Sequence, residues 1–283
     1  MTIKIKPEEF NFISKYIYEI SGIALTEEKT YLIETRLSDL VEKYSCKSYS
    51  ELCKNAKSDF SKSVEKQIID SITTNETLFF RDFSPFELLK HKLLPDYIDK
   101  KAKASNVLPI ECKVWSAACS TGQEIYSIAM IIRELFPEMV KLNIKINFKL
   151  LATDISDSII SQASQGRYNR FEIERGLPKK LLDKYFTSDS NSWKIKDKIR
   201  AMIEFKRQNL MRPFASLGKF DFIFCRNVAI YFSVKDRKSL FDNVANALQP
   251  DGYLIIGSTE SLSSICPKLE SNRHLRSVFY KLK

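Results

Sequence analysis

Residues 106–283 alternate short apolar runs of strand length with longer segments of helical period, and this alternation restricts the fold. Four runs have strand character: Val114–Ala118, Phe148–Ala152, Phe220–Phe224 and Tyr253–Gly257. Segments with helical spacing, such as Ile125–Leu135 and Val234–Leu248, lie between them. Strands that alternate with helices form parallel sheets with helices on both faces. We therefore predict a doubly wound α/β sheet of the Rossmann-like class.

Residues 1–74 have a helical period instead. Between Pro7 and Gly22, apolar residues recur at three- and four-residue steps: Phe10, Ile13, Ile17 and Ile20. Proline early in a helix and glycine just after its end are typical boundary residues. Two further stripes, Ile33–Tyr44 and Val64–Ile72, follow. Since 283 residues are enough for two domains, we predict a small all-α domain over residues 1–74.

Residues 75–105 are predicted to form a linker helix that carries a distinctive motif at its start. This helix follows Pro85, buries apolar residues such as Phe86, and ends near Pro95. The larger domain then covers residues 106–283. Its alternation is interrupted over residues 167–206, where Trp193–Lys196 and Met202–Phe205 have the pattern of strands in a small antiparallel insertion.

The chain carries a formal net charge of +10, and the whole excess falls in residues 76–283. Such an excess favours an anionic partner but does not choose among nucleic acid, membrane and acidic protein surfaces. The chain has no Arg/Gly-rich tract and no aromatic pair at RNA-module spacing. We therefore expect no nucleic-acid partner.

Cysteine and histidine usage argues against a metal site. The six cysteines form no CxxC pair, and only two histidines are present. The N-terminus has no basic-then-apolar signal, and no uncharged apolar run approaches the roughly 20 residues that span a bilayer. We expect a cytoplasmic protein with reduced thiols and no membrane insertion.

Three motifs follow one another in an order that is specific in combination. Asn75–Asp82 reads NETLFFRD, Val114–Glu124 reads VWSAACSTGQE, and Phe224–Phe232 reads FCRNVAIYF. Together they resemble the chemotaxis receptor glutamate O-methyltransferases, the CheR family, and the resemblance extends to a final strand near Val278–Tyr280. It implies an enzyme that uses S-adenosylmethionine to convert glutamates of chemoreceptor cytoplasmic domains into methyl esters during chemotaxis adaptation.

Two carboxylates are the predicted ligands of S-adenosylmethionine. The turn after the first strand contains only Gly122 where a dinucleotide site needs several glycines, so a nicotinamide cofactor is disfavoured. Glu124 follows this turn, where a carboxylate can meet the cationic amino group of the methionine part. Asp154 ends the second strand, where two oxygens can accept both ribose hydroxyls. A solvated acid at Glu124 and a helix cap at Asp154 are the alternatives.

The resemblance implies the remaining site residues. Asn209 and Leu210 match a pair at the adenosine end, and Arg226 and Asn227 match residues of the cofactor pocket. A simple turn is the alternative for Arg226 and Asn227. Tyr231 matches a tyrosine that faces the methyl group.

The NETLFFRD motif is predicted to close the pocket, with Asn75, Thr77 and Arg81 reaching the cofactor or the substrate. A helical turn would place Thr77 and Arg81 on one face. The predicted catalytic pair is Arg81, which steers the substrate carboxylate, and Tyr231, which orients the reacting groups. The alternative for Arg81 is a surface ion pair with Asp82 or Glu76.

The chain departs from the family pattern in places that bear on its partner. Gln123 and Ile125 replace an acidic residue and a proline beside Glu124. Ser38 and Asp39 follow Arg36 in the second helix, where further arginines that meet the receptor are common. The loop Thr187–Ser192 lacks the glycine of members that grip a C-terminal receptor pentapeptide. We predict that this chain does not depend on that tether.

Two other functions remain open from the sequence. The net charge permits a methyltransferase that acts on nucleic acid, although the run after Cys225 lacks the Pro-Pro-aromatic sequence used to hold a flipped base. A non-catalytic cofactor-binding signalling module is the second alternative, because fold does not guarantee activity.

Overall fold

The computed structural model describes residues 3–104, 109–141 and 144–283. The N-terminal helices are α1 (Pro7–Ser21), α2 (Thr30–Lys43), α3 (Tyr49–Ser58) and α4 (Ser63–Ile72). Their apolar stripes form a separate buried core. Pro7 begins α1, and Gly22 ends it with a φ of 80°, as the spacing of these two residues predicts. The small all-α domain is confirmed.

The linker continues past the proline that was expected to end it. Helix α5 (Ser84–Leu88) passes through a π-helical segment, Leu89–Leu93, into α6 (Leu94–Ala104). The amide of Leu94 donates to the carbonyl of Leu89, five residues back. This wider turn shifts the hydrogen-bond register just before Pro95, where an α-helix would meet a missing donor and a ring clash. The predicted end near Pro95 is therefore wrong.

The NETLFFRD motif precedes α5 and is not helical, so the predicted helical turn from Thr77 to Arg81 is also wrong. Phe80, Asp82 and Phe83 have positive φ angles of 52°, 66° and 48°. The reason is burial: the Phe79 ring packs edge-on against Tyr168, 4.9 Å between centroids, which pulls the segment into the sheet domain. The boundaries at residues 74 and 105 stay a prediction.

Residues after the linker form a mostly parallel seven-stranded sheet in the order β6-β2-β1-β7-β8-β10-β9. Its strands are β1 (Ile110–Ala117), β2 (Ile146–Asp154), β6 (Ile203–Arg207), β7 (Phe220–Cys225), β8 (Leu248–Ile255), β9 (Leu269–His274) and β10 (Ser277–Leu282). Among the described strands of this sheet only β10 is reversed: it pairs antiparallel with β8 on one side and with β9 on the other. The covering helices include α7 (Gln123–Lys141), α8 (Asp157–Gln165) and α12 (Val234–Ala247). The Rossmann-like class is confirmed.

The insertion holds a smaller sheet in the order β3-β5-β4. Its elements are β3 (Arg167–Asn169), α9 (Arg170–Glu174), α10 (Lys179–Tyr185), β4 (Phe186–Asp189), β5 (Ser192–Ile195) and α11 (Asp197–Arg200). The run Met202–Phe205 was expected to join it, but it overlaps Ile203–Arg207, which pairs parallel with Leu150–Asp154 in the main sheet instead. An apolar run this short fits either sheet edge, and only the tertiary pairing decides between them.

Strand order places the site. Chain order reverses between β1 and β7, which are neighbours in the sheet although β2 lies on the other side of β1. Ligands of doubly wound sheets bind beside such a switch point, at the carboxyl ends of the strands. Here that edge carries the residues after β1, β2, β6 and β7.

Candidate active site

A cavity of about 110 Å³, partly open to solvent, lies at this edge of the sheet under the helical domain. All ten residues predicted for the site line it: Asn75, Thr77, Arg81, Glu124, Asp154, Asn209, Leu210, Arg226, Asn227 and Tyr231. The fold therefore brings together segments that are up to 156 positions apart in the sequence.

Three charged residues, the buried Asp154 and Arg226 and the half-buried Glu124, form what we name the donor wall. Arg226 lies at its centre with a side chain only 2% exposed. Its guanidinium donates to Glu124 Oε2, to Asp82 Oδ2 and to the carbonyl of Arg81, each at 2.8 Å. The Arg226 guanidinium thus balances only one of the two carboxylates that it contacts. The cluster of Arg226, Glu124 and Asp82 keeps one net negative charge.

Glu124 is held at both oxygens rather than solvated. It lies in the first turn of α7, and its Oε1 accepts from the Ser116 hydroxyl at 2.7 Å. The excess negative charge of the cluster suits an ammonium group, which matches the role predicted for Glu124. The structure disfavours the alternative of a solvated acid because this side chain is 12% exposed.

Asp154 ends β2 with its carboxylate aimed at the turn after β1. Oδ2 accepts from the Ser120 amide at 2.9 Å, and Oδ1 accepts from the Ser156 amide at 3.2 Å. Ser120 has a φ of 50°, a left-handed conformation that turns its amide toward the acid. Burial raises the pKa of Asp154 above the ordinary aspartate value despite these two bonds. Each oxygen retains acceptor capacity for a hydroxyl donor.

The part of the cavity predicted to hold adenosine lies where the loop after β6 meets the helical domain. Asn209 donates to the carbonyl of Ile20 at 3.1 Å and accepts from the Met211 amide at 2.9 Å. Gly22 lies so close to this loop that an added Cβ would meet Met211 Cγ at 2.3 Å. Leu210 is buried beside them. Asn209 thus helps to join the domains as well as to line the cavity.

Two further residues of the cavity lining, Arg81 and Tyr231, form what we name the acceptor rim. Arg81 donates to the carbonyl of Glu76 at 3.0 Å. Within the described residues it forms no ion pair, since Asp82 pairs with Arg226 and Glu76 with Arg175. The alternative of a surface ion pair for Arg81 is therefore wrong.

Tyr231 reaches the cavity from a short 3₁₀ turn after β7. This turn, Ala229–Tyr231, follows Asn227, whose φ is 58°. The Tyr231 carbonyl accepts from the Ala24 amide at 3.1 Å, which ties the rim to the helical domain. In the part of the chain that the structure describes, the Tyr231 hydroxyl makes no hydrogen bond and is free to meet a ligand.

Asn75 and Thr77 line the cavity from the segment that joins the two domains. The Asn75 carbonyl accepts from the Ser120 hydroxyl at 2.9 Å. Arg36, the arginine of α2, donates to the Ile72 carbonyl at 2.6 Å and to the Thr74 hydroxyl at 2.9 Å. This arginine therefore holds the joining segment in place.

Sequence reasoning missed several residues of the site. Asp82 stands beside Arg81 in the motif, yet its partner Arg226 lies 144 positions away and could not be inferred. Ser116 and Ser120 flank the first strand end, where polar residues are a usable signal. Ser21 lines the cavity from α1, and no sequence pattern indicates that the helical domain covers the sheet edge.

The fold and the site define a class of protein. The sheet is doubly wound, its first turn is poor in glycine, and acids after β1 and β2 suit an ammonium group and a ribose. These features are those of an S-adenosylmethionine-dependent methyltransferase with an additional helical domain.

Comparison with known proteins identifies the family. Residues 75–277 match the family model "CheR methyltransferase, SAM binding domain", and residues 8–73 match "CheR methyltransferase, all-alpha domain". The chemotaxis protein methyltransferase of Vibrio parahaemolyticus is 39% identical over 282 residues, 99% of each chain. Chemotaxis protein methyltransferase 1 of Pseudomonas aeruginosa is 36% identical over 276 residues, covering 97% of this chain and 98% of its own.

The chain belongs to the CheR methyltransferase family, and S-adenosylmethionine is its cofactor. The resemblance seen in its three motifs is thereby confirmed. Among the described residues, every helix is too short or too polar to cross a membrane.

Proposed function

We propose that this chain methylates glutamate side chains of chemoreceptor cytoplasmic domains, forming methyl esters in chemotaxis adaptation, and that it works in the cytoplasm. The observation that carries the proposal is the cavity itself. It combines an acidic donor wall suited to S-adenosylmethionine with a rim that offers one guanidinium and one phenol. The names of the similar chemotaxis protein methyltransferases support the substrate class.

A carboxylate nucleophile fits a site that contains no histidine. A glutamate side chain has a reference pKa of about 4.3, so it is ionised at neutral pH. Neither histidine of the chain lines the cavity. Substrates that must lose a proton, such as amines, need a base, and an ionised carboxylate does not.

The donor wall fits the cofactor, which supplies an electrophilic methyl group on a positively charged sulfur. Glu124 would hold the amino group of the methionine part, and Asp154 the ribose. Asn209 and Leu210 would line the adenosine end, and Asn75, Thr77, Arg226 and Asn227 would complete the cavity.

Arg81 and Tyr231 would act on the protein substrate. Arg81 is free to offer a one-armed contact that orients a carboxylate without blunting its nucleophilicity, as a bidentate grip would. The Tyr231 phenol can donate a hydrogen bond to the reacting groups. The helical domain covers part of the cavity and so limits the access of water, which otherwise separates unlike charges.

The test uses S-adenosylmethionine labelled in the methyl group, the full chain and purified chemoreceptor cytoplasmic domains. We expect label on the receptor that mild base releases as volatile methanol, because esters hydrolyse readily and N-methyl groups do not. Receptors with glutamine at the accepting positions are the matched control and should take up no label. Base-stable label, or label transferred to RNA or DNA instead, would contradict the proposal.

We also propose that activity does not depend on a receptor pentapeptide. Strands β4 and β5 are joined by a tight turn at Ser190 and Asn191, where Ser190 takes a φ of 53° without a glycine. Receptor domains with and without the last five residues should be methylated at the same rate. Micromolar binding of such a pentapeptide to the full chain would show that the tether is used.

A further inference from the structure

The carboxylate of Glu260 lies outside the cavity, directly behind the part of the lining that Asn227 forms. Glu260 follows β8, and its Oε2 accepts from the Gly257 amide at 2.7 Å and from the Asn227 amide at 3.0 Å. Glu260 does not line the cavity itself. It touches the site only through the backbone of Asn227.

The contact holds a left-handed turn. Asn227 has a φ of 58°, in a region that asparagine and glycine adopt more readily than other residues. Gly257 packs against both groups, since an added Cβ would lie 2.6 Å from Glu260 Oε2 and 2.9 Å from Asn227 Nδ2. The Glu260 carboxylate therefore fixes the backbone at a position where the chain changes direction.

Glu260 itself has a buried oxygen that lowers stability. Its Oε1 is buried and has no hydrogen-bond partner in the described part of the chain. Glu124 and Asp82 share the Arg226 guanidinium, whereas Glu260 has no ion-pair partner among these residues. A buried oxygen left without a donor is destabilising, so stability alone does not explain this residue.

We propose that Glu260 is a positioning residue of the methyl-transfer site. Its Oε2 fixes the left-handed turn at Asn227, and this turn sets where the Asn227 side chain and the following 3₁₀ turn meet the cavity. The Tyr231 amide donates to the Val228 carbonyl at 3.2 Å, so the rim tyrosine is placed from the same point. The inference rests on the proposed function, because it assigns Glu260 to the same site.

Two substitutions separate positioning from charge. Glu260→Ala removes the acceptor of both amides, whereas Glu260→Gln keeps an oxygen that can accept from both. We expect the alanine variant to bind S-adenosylhomocysteine about 10-fold more weakly by calorimetry and to lower kcat about 30-fold. The glutamine variant should stay within about threefold of the unaltered chain in both. Glu270→Ala, on the exposed strand β9, is the matched control and should change neither.

Affinity is measured on the full chain at a temperature well below the thermal unfolding midpoint of every variant. Unfolded protein then does not contribute to any loss of affinity. An alanine variant with normal affinity and kcat overturns the proposal, as does a glutamine variant as impaired as the alanine one. Should the unaltered chain bind S-adenosylhomocysteine but methylate no receptor, the proposed function fails. The affinity series still decides the role of Glu260.

Discussion

The donor wall and the acceptor rim of the cavity are built differently. On the donor wall, Glu124 and Asp154 each receive two hydrogen bonds, and Arg226 makes three. On the acceptor rim, Arg81 makes a single bond to a backbone carbonyl. The wall is preorganised before any ligand arrives, and the rim is not.

The proposed function, with a small cofactor at the wall and a protein segment at the rim, accounts for this difference. A small cofactor has the same shape at every turnover, so fixed partners lose little entropy on binding it. A protein segment arrives in varied orientations, and side chains with few contacts can adjust to it. Rigid cofactor binding and adaptable substrate binding can therefore be tested separately.

The largest effect is expected from breaking the wall. Arg226→Met leaves Glu124 and Asp82 without their cation, and we expect the free energy of unfolding to fall by about 3 kcal/mol. Denaturant titration measures this change. Arg170→Met, in the exposed pair with Glu174, is the control and should change stability by less than about 0.5 kcal/mol. A loss below about 1 kcal/mol at Arg226 would show that charge balance does not hold the wall.

Rim substitutions should affect turnover rather than cofactor binding. We expect Arg81→Ala to lower kcat about 100-fold and Tyr231→Phe about 10-fold, because both orient reacting groups. Affinity for S-adenosylhomocysteine should stay within about threefold. Arg175→Ala, the nearby arginine paired with Glu76, serves as the control. Unchanged methylation rates would remove both residues from the mechanism.

A wall acid should behave in the opposite way. Asp154→Asn keeps one acceptor oxygen in place of two, so a ribose hydroxyl or a backbone amide loses its partner. We expect affinity for S-adenosylhomocysteine to fall about 30-fold by calorimetry. Asp157→Asn, an exposed acid three positions on, should leave affinity unchanged. Equal affinities in both variants would refute the assignment of Asp154 to the ribose.

The same acid should make binding depend on pH. Burial raises the pKa of Asp154, and the ribose hydroxyls donate to its ionised form. Affinity should therefore be full above this raised pKa and fall as the pH drops through it, beginning at a higher pH than for an ordinary aspartate. Calorimetry across pH should show the decline in the unaltered chain and not in Asp154→Asn. The same dependence of affinity on pH in both proteins would contradict the prediction.

The smallest effect should come from Arg36. Because its guanidinium holds the segment before Asn75, Arg36→Ala should lower stability by about 1 kcal/mol, as measured by denaturant titration. Lys29→Ala, an exposed cation just before α2, is the control. A raised KM for the receptor at unchanged stability would instead show that Arg36 meets the receptor.

Local patterns predicted much of the fold, and their failures have physical causes. The alternation after residue 106 predicted the parallel sheet because buried strands and amphipathic helices have different periods. The helix through Pro95 was missed because a π-helical turn depends on packing around it rather than on composition. Ile203–Arg207 was assigned to the wrong sheet because pairing partners are chosen by long-range contacts.

The amino-acid sequence by itself determined the two-part organisation, the family and the residue types that reach the cavity. These depend on local periods and on residues at strand ends, which a linear pattern carries. Only the tertiary structure decided that Arg226 joins Asp82 to Glu124, that Arg36 supports the joining segment, and that Glu260 stands behind Asn227. Such contacts form between distant parts of the chain, so they exist only once the domains have packed together.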